Sequence, residues 1–331
     1  MRICVFGAGA VGGHLAAKLA AAGNEVSVFV RGAQLAAIRE KGIVLLHGDE
    51  TIRGKAKASD RSVELGKQDA VIVTMKANVL PGVAGSLAPL LGPDTPVVFA
   101  QNGIPWWYDI GLGAAKPRPP DLSRLDPDGT LRKTVAPERI VGGVIYCAND
   151  LVEPGVVRNH TPGNNMLVIG RCDDRDSAEV RALRAVLEKA WMSSPPPPQE
   201  IRCVVWNKAI VNLGTSSVCL LADAALDAVR RNAGTKALFA RAAEEGKAIA
   251  RAHGIDPDLT PQRPSGGQGS GNISHKPSMV HDYDSGRPME IESQFVTPLA
   301  FARAAGVPTP TLDALTQLCA FKASAKGLYS P

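Results

Sequence analysis

The feature that most constrains the fold is a glycine-rich turn near the start of the chain. The turn follows the apolar run Ile3–Phe6 and precedes an alanine-rich stretch over residues 10–22. Its six residues are Gly7, Ala8, Gly9, Ala10, Val11 and Gly12. In this G-x-G-x-x-G spacing the glycines permit a tight turn, close approach to a diphosphate, and close packing of helix on strand. The pattern predicts a strand–turn–helix unit whose helix N-terminus binds phosphate; a glycine-rich turn that binds nothing is the alternative.

Further apolar runs follow at residues 26–30, 70–74 and 96–100, and the intervening stretches have helical character. Continuous apolar runs are typical of strands buried on both faces of a parallel sheet. Strands alternating with helices predict an α/β, Rossmann-type doubly wound sheet. Strand-like segments return after residue 135, and residues 177–190 are predicted as one more helix.

A change of composition marks the predicted domain boundary. Ser193 and Ser194 precede four prolines, which cannot continue a helix. After them the pattern is mostly helical, which predicts a Rossmann domain over residues 1–194 and an all-α substrate or dimerisation domain over residues 195–331. The proline-rich segment 111–135 is predicted to be a surface excursion, and the glycines of 266–271 a flexible loop.

Composition argues against several classes of function. The net charge of +5 comes without a block of basic residues interleaved with aromatics, so we expect no nucleic-acid partner. The six cysteines form no C-x-x-C and the six histidines no close pair, so we expect no metal and a reducing, cytoplasmic setting. We find neither a signal-peptide pattern nor an apolar run of about 20 residues, so we expect no membrane partner.

Three polar residues follow predicted strands, where open α/β sheets bind their ligands. Arg31 ends the second strand, where an acidic residue would hold the ribose of NAD; a guanidinium there suits the 2′-phosphate of NADP. Lys76 could meet a phosphate, and Asn102 a nicotinamide or a substrate. The alternatives are solvated Arg and Lys side chains and an ordinary Asn-Gly turn.

Two polar constellations lie in the predicted helical domain. Lys208, Asn212 and Ser216 are four residues apart, so they share one face of an otherwise apolar helix. These side chains either line a cleft or lie on a solvent-exposed face of the helix. Near the C-terminus, Ser278 begins a short predicted helix, and Glu290 and Glu292 are placed in the first turn of another predicted over 288–305. The helix dipole alone explains both glutamates, and for Glu292 we keep that explanation.

Together these motifs resemble the ketopantoate reductases (2-dehydropantoate 2-reductases). The resemblance rests on G-A-G-A-V-G, Arg31, T-M-K-A, Q-N-G, W-N-K-A-I-V-N and S-M-V-H-D-Y-D-S-G-R-P-M-E-I-E, in family order along nearly the whole chain. It implies NADPH-dependent reduction of a 2-oxo acid, with ketopantoate the leading substrate in pantothenate and coenzyme A biosynthesis.

The resemblance also implies a role for each matching residue. Lys208 looks like the proton donor to the substrate C2 oxygen, with Glu290 beside it and the cofactor. Asn212, Ser216, Ser278 and Asn102 would contact the substrate, and Asn102 the cofactor as well. Arg31 and Lys76 would serve the adenosine phosphate, and the Ala148 backbone would touch the cofactor.

This chain departs from the family at two points. The family usually has a second Asn where Ser216 stands, and I-P-W-W-Y-D-I after Q-N-G replaces smaller residues. Trp106 and Trp107 are expected at the mouth of the presumed cleft, which leaves open another branched or aromatic 2-oxo acid. A non-catalytic NADP-binding sensor is the rival of a different class. The oligomeric state is also open, with a homodimer as one alternative.

Overall fold

The computed structural model describes residues 1–260 and 276–331, so the predicted loop at 266–271 lies outside the described residues. The chain forms two compact units. The first contains residues 1–101 and 129–201, and the second contains residues 102–128, 202–260 and the described C-terminal part. Compared with the predicted domains, residues 102–128 belong with the helical unit, and the first unit continues to Ile201.

The first unit is built on two sheets. The larger has seven strands in the order β11-β8-β7-β6-β1-β2-β5, and the smaller has the order β4-β3-β10-β9. The elements in chain order are β1 (Arg2–Phe6), α1 (Ala10–Ala21), β2 (Glu25–Phe29), α2 (Gly32–Lys41), β3 (Ile43–His47), β4 (Glu50–Gly54), β5 (Lys57–Ser59), β6 (Ala70–Val73), β7 (Val97–Phe99), α3 (Thr130–Thr134), β8 (Ile140–Tyr146), β9 (Asn149–Glu153), β10 (Val156–Asn159), β11 (Met166–Arg171) and α4 (Ala178–Lys189).

The large sheet confirms the predicted Rossmann-type fold. Strands β5, β2, β1, β6, β7 and β8 are parallel, and β11 is antiparallel to β8 at one edge. Every residue of β6 and β7 is buried, as continuous apolar runs require in a sheet covered on both faces. The parallel register brings the carboxyl ends of β1, β2 and β6 to one edge, which is where the glycine turn, Arg31 and Lys76 lie.

The smaller sheet was not predicted. It packs on α1, where glycines allow close contact: a Cβ on Gly13 would lie 2.7 Å from Val157 Cγ2, and one on Gly54 would lie 2.9 Å from the Ala17 Cα. Helix α1 is therefore buried between the two sheets, and its residues 12–19 are all buried.

The serine–proline segment 193–198, which was predicted as the domain boundary, is anchored to the first unit. The Ser193 carbonyl oxygen accepts from the Leu167 N–H at 2.8 Å, and the Ser194 hydroxyl donates to the Leu167 carbonyl oxygen at 2.7 Å. A Cβ on Gly170 would lie 2.9 Å from Pro197 Cγ, so the prolines also pack on β11. The serine–proline segment therefore extends the edge of the large sheet.

The second unit is helical. Its elements are α5 (Ile201–Ala222, of which Ile201 belongs to the first unit), α6 (Leu226–Arg231), α7 (Ala233–Ala252), α8 (Ser278–Asp284), a π-helical turn (Glu292–Val296), α9 (Thr297–Ala304) and α10 (Pro310–Ala325). Helices α5 and α7 approach closely at Gly214 and Gly246, where a Cβ would lie 2.3 Å from Phe239 Cδ2 and 3.1 Å from Ile210 Cγ1.

Helix α5 is long and apolar enough to span a membrane by length and composition, although we predicted no such run. Its most apolar window has a mean hydropathy of 1.2, and 78% of that window is buried inside the protein. Burial to this extent is typical of the core helix of a folded unit.

Three predictions about this part of the fold are wrong. The helix predicted over 288–305 begins later: Pro288 and Glu290 precede it, and its first turn is the π-helical Glu292–Val296. Trp106 and Trp107 do not line an opening, since they are 4% and 1% exposed and belong to the core of the unit. Similarly, the predicted surface excursion over 111–135 is not a bare surface segment, because its Leu122 and Leu125 are buried and its Thr130–Thr134 forms α3.

Candidate functional site

The glycine turn has the space that a diphosphate needs. Gly9 is exposed at the N-cap of α1. Among the described residues, no side chain caps that end, and beyond its chain neighbours no atom lies within 4 Å of where a Cβ would be. The N–H groups of a helix's first turn lack acceptors within the helix, and they carry partial positive charge. These features fit an anionic group such as the diphosphate of a dinucleotide.

The other two glycines of the turn are closed in by the protein itself. A Cβ on Gly12 would lie 1.8 Å from the Gly7 carbonyl oxygen and 2.5 Å from Thr74 Oγ1. Gly7 has φ +108°, a conformation that favours glycine, and its Cβ would meet Met75 Cγ at 2.6 Å. The turn is thus wedged between the ends of β1 and β6, and a side chain at either position would force it open.

The structure brings the predicted phosphate-binding residues to the same sheet edge as the glycine turn. Arg31 is the N-cap residue of α2, two residues beyond β2; it is exposed, and its side chain makes no hydrogen bond or ion pair with the described residues. Lys76 follows β6 and is partly buried. Both cations are therefore placed for an anionic ligand, while their role stays a prediction.

The backbone of Ala148 already has partners within the first unit. Its N–H donates to Thr161 Oγ1 at 3.2 Å, and its carbonyl oxygen accepts from the His160 N–H at 2.8 Å and from Asn159 Nδ2 at 3.2 Å. A cofactor contact here would be by van der Waals approach, or would replace one of these hydrogen bonds.

In the second unit, one face of α5 opens in the middle of an otherwise buried helix. Residues 201–220, which the structure describes in full, are all buried except Lys208, Val211 and Asn212. Val211 and Asn212 lie three and four residues after Lys208, so all three side chains share one face of the helix. Ser216 lies one turn further on the same face and is buried, 3% exposed. The predicted polar stripe is therefore accessible at Lys208 and Asn212 and is closed at Ser216.

The Q-N-G segment is fixed by its glycine. Gly103 has φ +79°, and a Cβ there would lie 2.4 Å from the Ser293 carbonyl oxygen. The next residue, Ile104, donates its N–H to that same oxygen at 2.8 Å. The loop that carries Asn102 is thereby docked on the π-helical turn that follows Glu290, so two predicted site segments distant in sequence are joined.

Glu290 is a buried carboxylate, 5% exposed, at the residue just before this helix. Its carbonyl oxygen accepts from the Gln294 N–H at 3.1 Å, and its Oε2 accepts from Gln294 Nε2 at 3.3 Å. Ser278, by contrast, is exposed at the first position of α8.

Glu292 faces a different environment from the one we predicted. Arg124 lies 3.1 Å from its Oε2, and the Tyr329 hydroxyl donates to the same oxygen at 2.8 Å. Burial, and hydrogen bonding to Glu292, raise the pKa of Tyr329 to about 12, so the phenol stays a donor at neutral pH. The interaction with the helix dipole is therefore supplemented by an ion pair with the 111–128 segment.

The segment 104–110, which contains Trp106 and Trp107, anchors the start of α5. Arg202 is fully buried and donates from Nε to the Tyr108 carbonyl oxygen at 2.8 Å and from Nη2 to that of Ile110 at 2.7 Å. Trp206 Nε1 donates to the Tyr108 hydroxyl at 2.8 Å. These bonds fix the first two turns of α5, which lead directly to Lys208.

Sequence reasoning missed several residues that shape these sites. Gln294 lies four residues after Glu290, and helical spacing could have identified it. Thr74, Arg202 and Arg124 act through contacts 67 or more residues away, so no local pattern marks them.

Comparison with known proteins matches this chain along its length. The family model Ketopantoate reductase PanE/ApbA matches residues 3–174, and its C-terminal counterpart matches residues 200–323. A 2-dehydropantoate 2-reductase of Mesorhizobium japonicum is 36% identical over the whole of both chains.

Solved structures agree on the fold. A protein from Ralstonia solanacearum MolK2, provisionally assigned as a ketopantoate reductase, has a TM-score of 0.85 at 31% identity over 99% of each chain. A D-mandelate dehydrogenase with bound NADH and anilino(oxo)acetate has a TM-score of 0.80 at 21% identity, covering 99% of this chain and 100% of its own. At that identity the second likeness concerns the fold alone.

Proposed function

The chain belongs to the ketopantoate reductase family of oxidoreductases, which act on a CH–OH group with a nicotinamide dinucleotide, and from this we propose that it reduces 2-dehydropantoate to pantoate with NADPH. The proposal assigns the reaction to the pantothenate branch of coenzyme A biosynthesis. It rests on the family match and on residues of both units.

The observation that carries the proposal is the opening on α5. A lysine in the middle of a buried helix is costly unless its ammonium has a purpose or a partner. Lys208 and Asn212 are accessible together with Val211, and the remainder of 201–220 is buried. This arrangement supports an ammonium and an amide presented to a small ligand rather than a generally wet helix face.

The chemistry assigned to these residues is proton transfer and charge stabilisation. When bound, the reduced nicotinamide supplies a hydride to the C2 carbon of the 2-oxo acid. Lys208 stabilises the negative charge that develops on the C2 oxygen and donates its proton there, giving the hydroxyl. Asn212, Asn102 and Ser278 are proposed as hydrogen-bonding partners of the substrate, and Glu290 as the residue that keeps the Lys208 ammonium protonated and oriented. Ser216 is buried, so we assign it no substrate contact.

The choice of NADPH over NADH is proposed from Arg31. Arg31 is the second residue after β2, and its guanidinium offers a 2′-phosphate a bidentate donor. The ribose hydroxyls of NADH lack the acidic acceptor that is usual there. Lys76, at the end of β6, is proposed as a second cation for the same phosphate. The glycine turn, Gly7 to Gly12, would hold the diphosphate, and Ala148 would contact the cofactor.

The buried position of Trp106 and Trp107 bears on the substrate. Indoles at the mouth of a cleft would favour an aromatic 2-oxo acid; as core residues these two give no reason for one. Ketopantoate is therefore the substrate we propose.

The test is NADPH oxidation at about 340 nm (the nicotinamide absorbance) with ketopantoate, 2-oxoisovalerate and phenylglyoxylate as competing substrates. We expect kcat/KM for ketopantoate to exceed the others. Preference for another 2-oxo acid would contradict the substrate and keep the reaction type. Tight NADPH binding with no turnover of any substrate would favour the sensor and contradict the enzyme.

We further propose that the protein acts in the cytoplasm and self-associates through its C-terminal helices. Leu318 and Phe321 lie three residues apart on α10 and are 55% and 74% exposed, which would supply an apolar contact. Light scattering of the purified protein tests this, and a monomer at micromolar concentration would contradict it.

A further inference from the structure

We infer that Gln294 is a positioning residue for Glu290, holding its carboxylate by an amide hydrogen bond. The inference rests on the proposed function, in which Glu290 acts beside Lys208, and adds a residue for which the family resemblance gave no role.

The two side chains form a buried pair. Gln294 is 2% exposed and Glu290 5% exposed, and Gln294 Nε2 donates to Glu290 Oε2 at 3.3 Å. A buried carboxylate needs donors, because it has lost its hydration. An amide supplies one without a compensating charge, so it fixes the carboxylate while leaving it negative.

The backbone that presents this pair is held independently. Ser293 lies between Glu290 and Gln294 in the sequence. Its carbonyl oxygen accepts from the Ile104 N–H, and Gly103 packs tightly against the same carbonyl group. Met289 donates its N–H to the Leu328 carbonyl oxygen at 2.9 Å. The π-helical turn over Glu292–Val296 begins here, and such turns occur frequently at functional sites. The position of Gln294 is thus imposed by the fold and does not depend on its bond to Glu290.

Other charged and titratable groups around the π-helical turn have partners of their own. Arg124 and Tyr329 both contact Glu292, and Arg287 pairs with Asp282 at 3.1 Å. By the proposed function Lys208 lies beside Glu290. Among these groups the chain offers a matched pair: Gln294 donates to Glu290, and Tyr329 donates to Glu292 two residues away.

The experiment compares Gln294→Met, which keeps the length and loses the donor, with Gln294→Asn, Gln294→Glu and the control Tyr329→Phe. We expect Gln294→Met to lower kcat roughly 10- to 100-fold, the equivalent of one hydrogen bond to a charged group, with little change in NADPH affinity. Gln294→Asn, which keeps a shorter amide, should be intermediate. Tyr329→Phe should affect stability and leave kcat within about twofold.

A pH profile separates positioning from mere packing. Loss of the donor disfavours ionised Glu290, so the acidic limb of kcat/KM should move up by about one pH unit in Gln294→Met and further in Gln294→Glu, where two carboxyls share the site. In a background of Glu290→Gln, Gln294→Met should cost nothing more, since its partner is already neutral. The inference would be overturned if the acidic limb of the kcat/KM profile did not move in the Gln294 variants. It would also be overturned if the losses in kcat caused by Glu290→Gln and Gln294→Met simply multiplied in the double variant.

The inference can also be tested without turnover. The carboxyl ¹³C resonance of Glu290, assigned by its loss in Glu290→Gln, should titrate at higher pH in Gln294→Met than in the wild type. If the wild type reduces no 2-oxo acid, the proposed function fails while this titration still decides the contact. An unchanged titration in an active enzyme overturns the role of Gln294 alone.

Discussion

Thr74 Oγ1 donates to the Gly7 carbonyl oxygen at 2.6 Å, and this oxygen is the atom that a side chain on Gly12 would strike. The hydroxyl at the end of β6 thus fixes the conformation of the turn from the side opposite its open face. The two outer glycines are needed for folding, whereas Gly9 has open space where a ligand would lie. Structural and binding roles can therefore be separated by matched substitutions.

We predict that Gly12→Ala and Gly9→Ala have different effects. Gly12→Ala places a Cβ 1.8 Å from backbone, so it should lower stability by about 2–4 kcal/mol and abolish cofactor binding with it. Gly9→Ala meets no protein atom within 4 Å and should change stability by less than about 1 kcal/mol, yet weaken NADPH binding at least tenfold.

Thermal unfolding and NADPH titration of both variants make the comparison. Equal NADPH affinity in wild type and Gly9→Ala would contradict a diphosphate at this turn. A Gly12→Ala variant as stable as the wild type would mean that the turn can open at little cost.

A second prediction concerns cofactor choice. Arg31→Ala should weaken NADPH roughly 10- to 100-fold and leave NADH nearly unchanged, because only NADPH carries the 2′-phosphate. Arg53→Ala is the matched control, since Arg53 is also exposed, lies on β4, and removes the same charge. Kd values for both cofactors decide the point; equal losses for NADPH and NADH would exclude the 2′-phosphate role.

A third prediction concerns the proton donor. Lys208→Ala should lower kcat by about 10²–10⁴-fold while the Kd of NADPH stays within a few fold, since the lost group acts on the reacting oxygen. Lys247→Ala is the control, because Lys247 is on α7 and pairs with Glu244 at the surface. A Lys208→Ala enzyme with unchanged kcat would require another donor.

The large sheet could be predicted because its strands are buried on both faces, and β1, β6 and β7 consequently stand out as short apolar runs. The smaller sheet could not. Its two edge strands are β4 (Glu50–Gly54), with one buried residue, and β9 (Asn149–Glu153), with none, so no apolar pattern marks either. They become strands through hairpin pairing with β3 and β10, and these two strands pair with each other although they are distant in sequence.

The candidate site shows the same division. The face of α5 follows from helical spacing alone, and the accessible pair Lys208 and Asn212 lies where that spacing placed it. The burial of Trp106 and Trp107 could not be predicted, because the contacts of this segment are distant in sequence: Arg202, nearly a hundred residues later, has its guanidinium over the Trp107 ring. Local patterns give the face of an element, and the partners of that face are set by tertiary contacts.

The last prediction concerns pH and a buried polar cluster in the first unit. His14, on α1, is fully buried, and its Nδ1 donates to Asn149 Oδ1 at 2.8 Å. Burial lowers the pKa of His14 from 6.5 to about 3, an effect that the bond to Asn149 only partly offsets. Neighbouring Lys18 lowers it further, and its own pKa is lowered by burial to about 8.

The sign follows from proton binding. Between pH 6.5 and about 3 the unfolded chain binds a proton at His14 and the folded chain does not, so acid favours unfolding. The free energy of unfolding should therefore rise with pH across this window, by roughly 3–5 kcal/mol from this group. His14→Gln keeps an amide donor for Asn149 and removes the titration, so its stability should depend less on pH. Urea unfolding at a series of pH values measures this, with His281→Gln as control, a partly exposed histidine on α8. Parallel pH curves for wild type and His14→Gln would show that His14 is protonated in the folded protein.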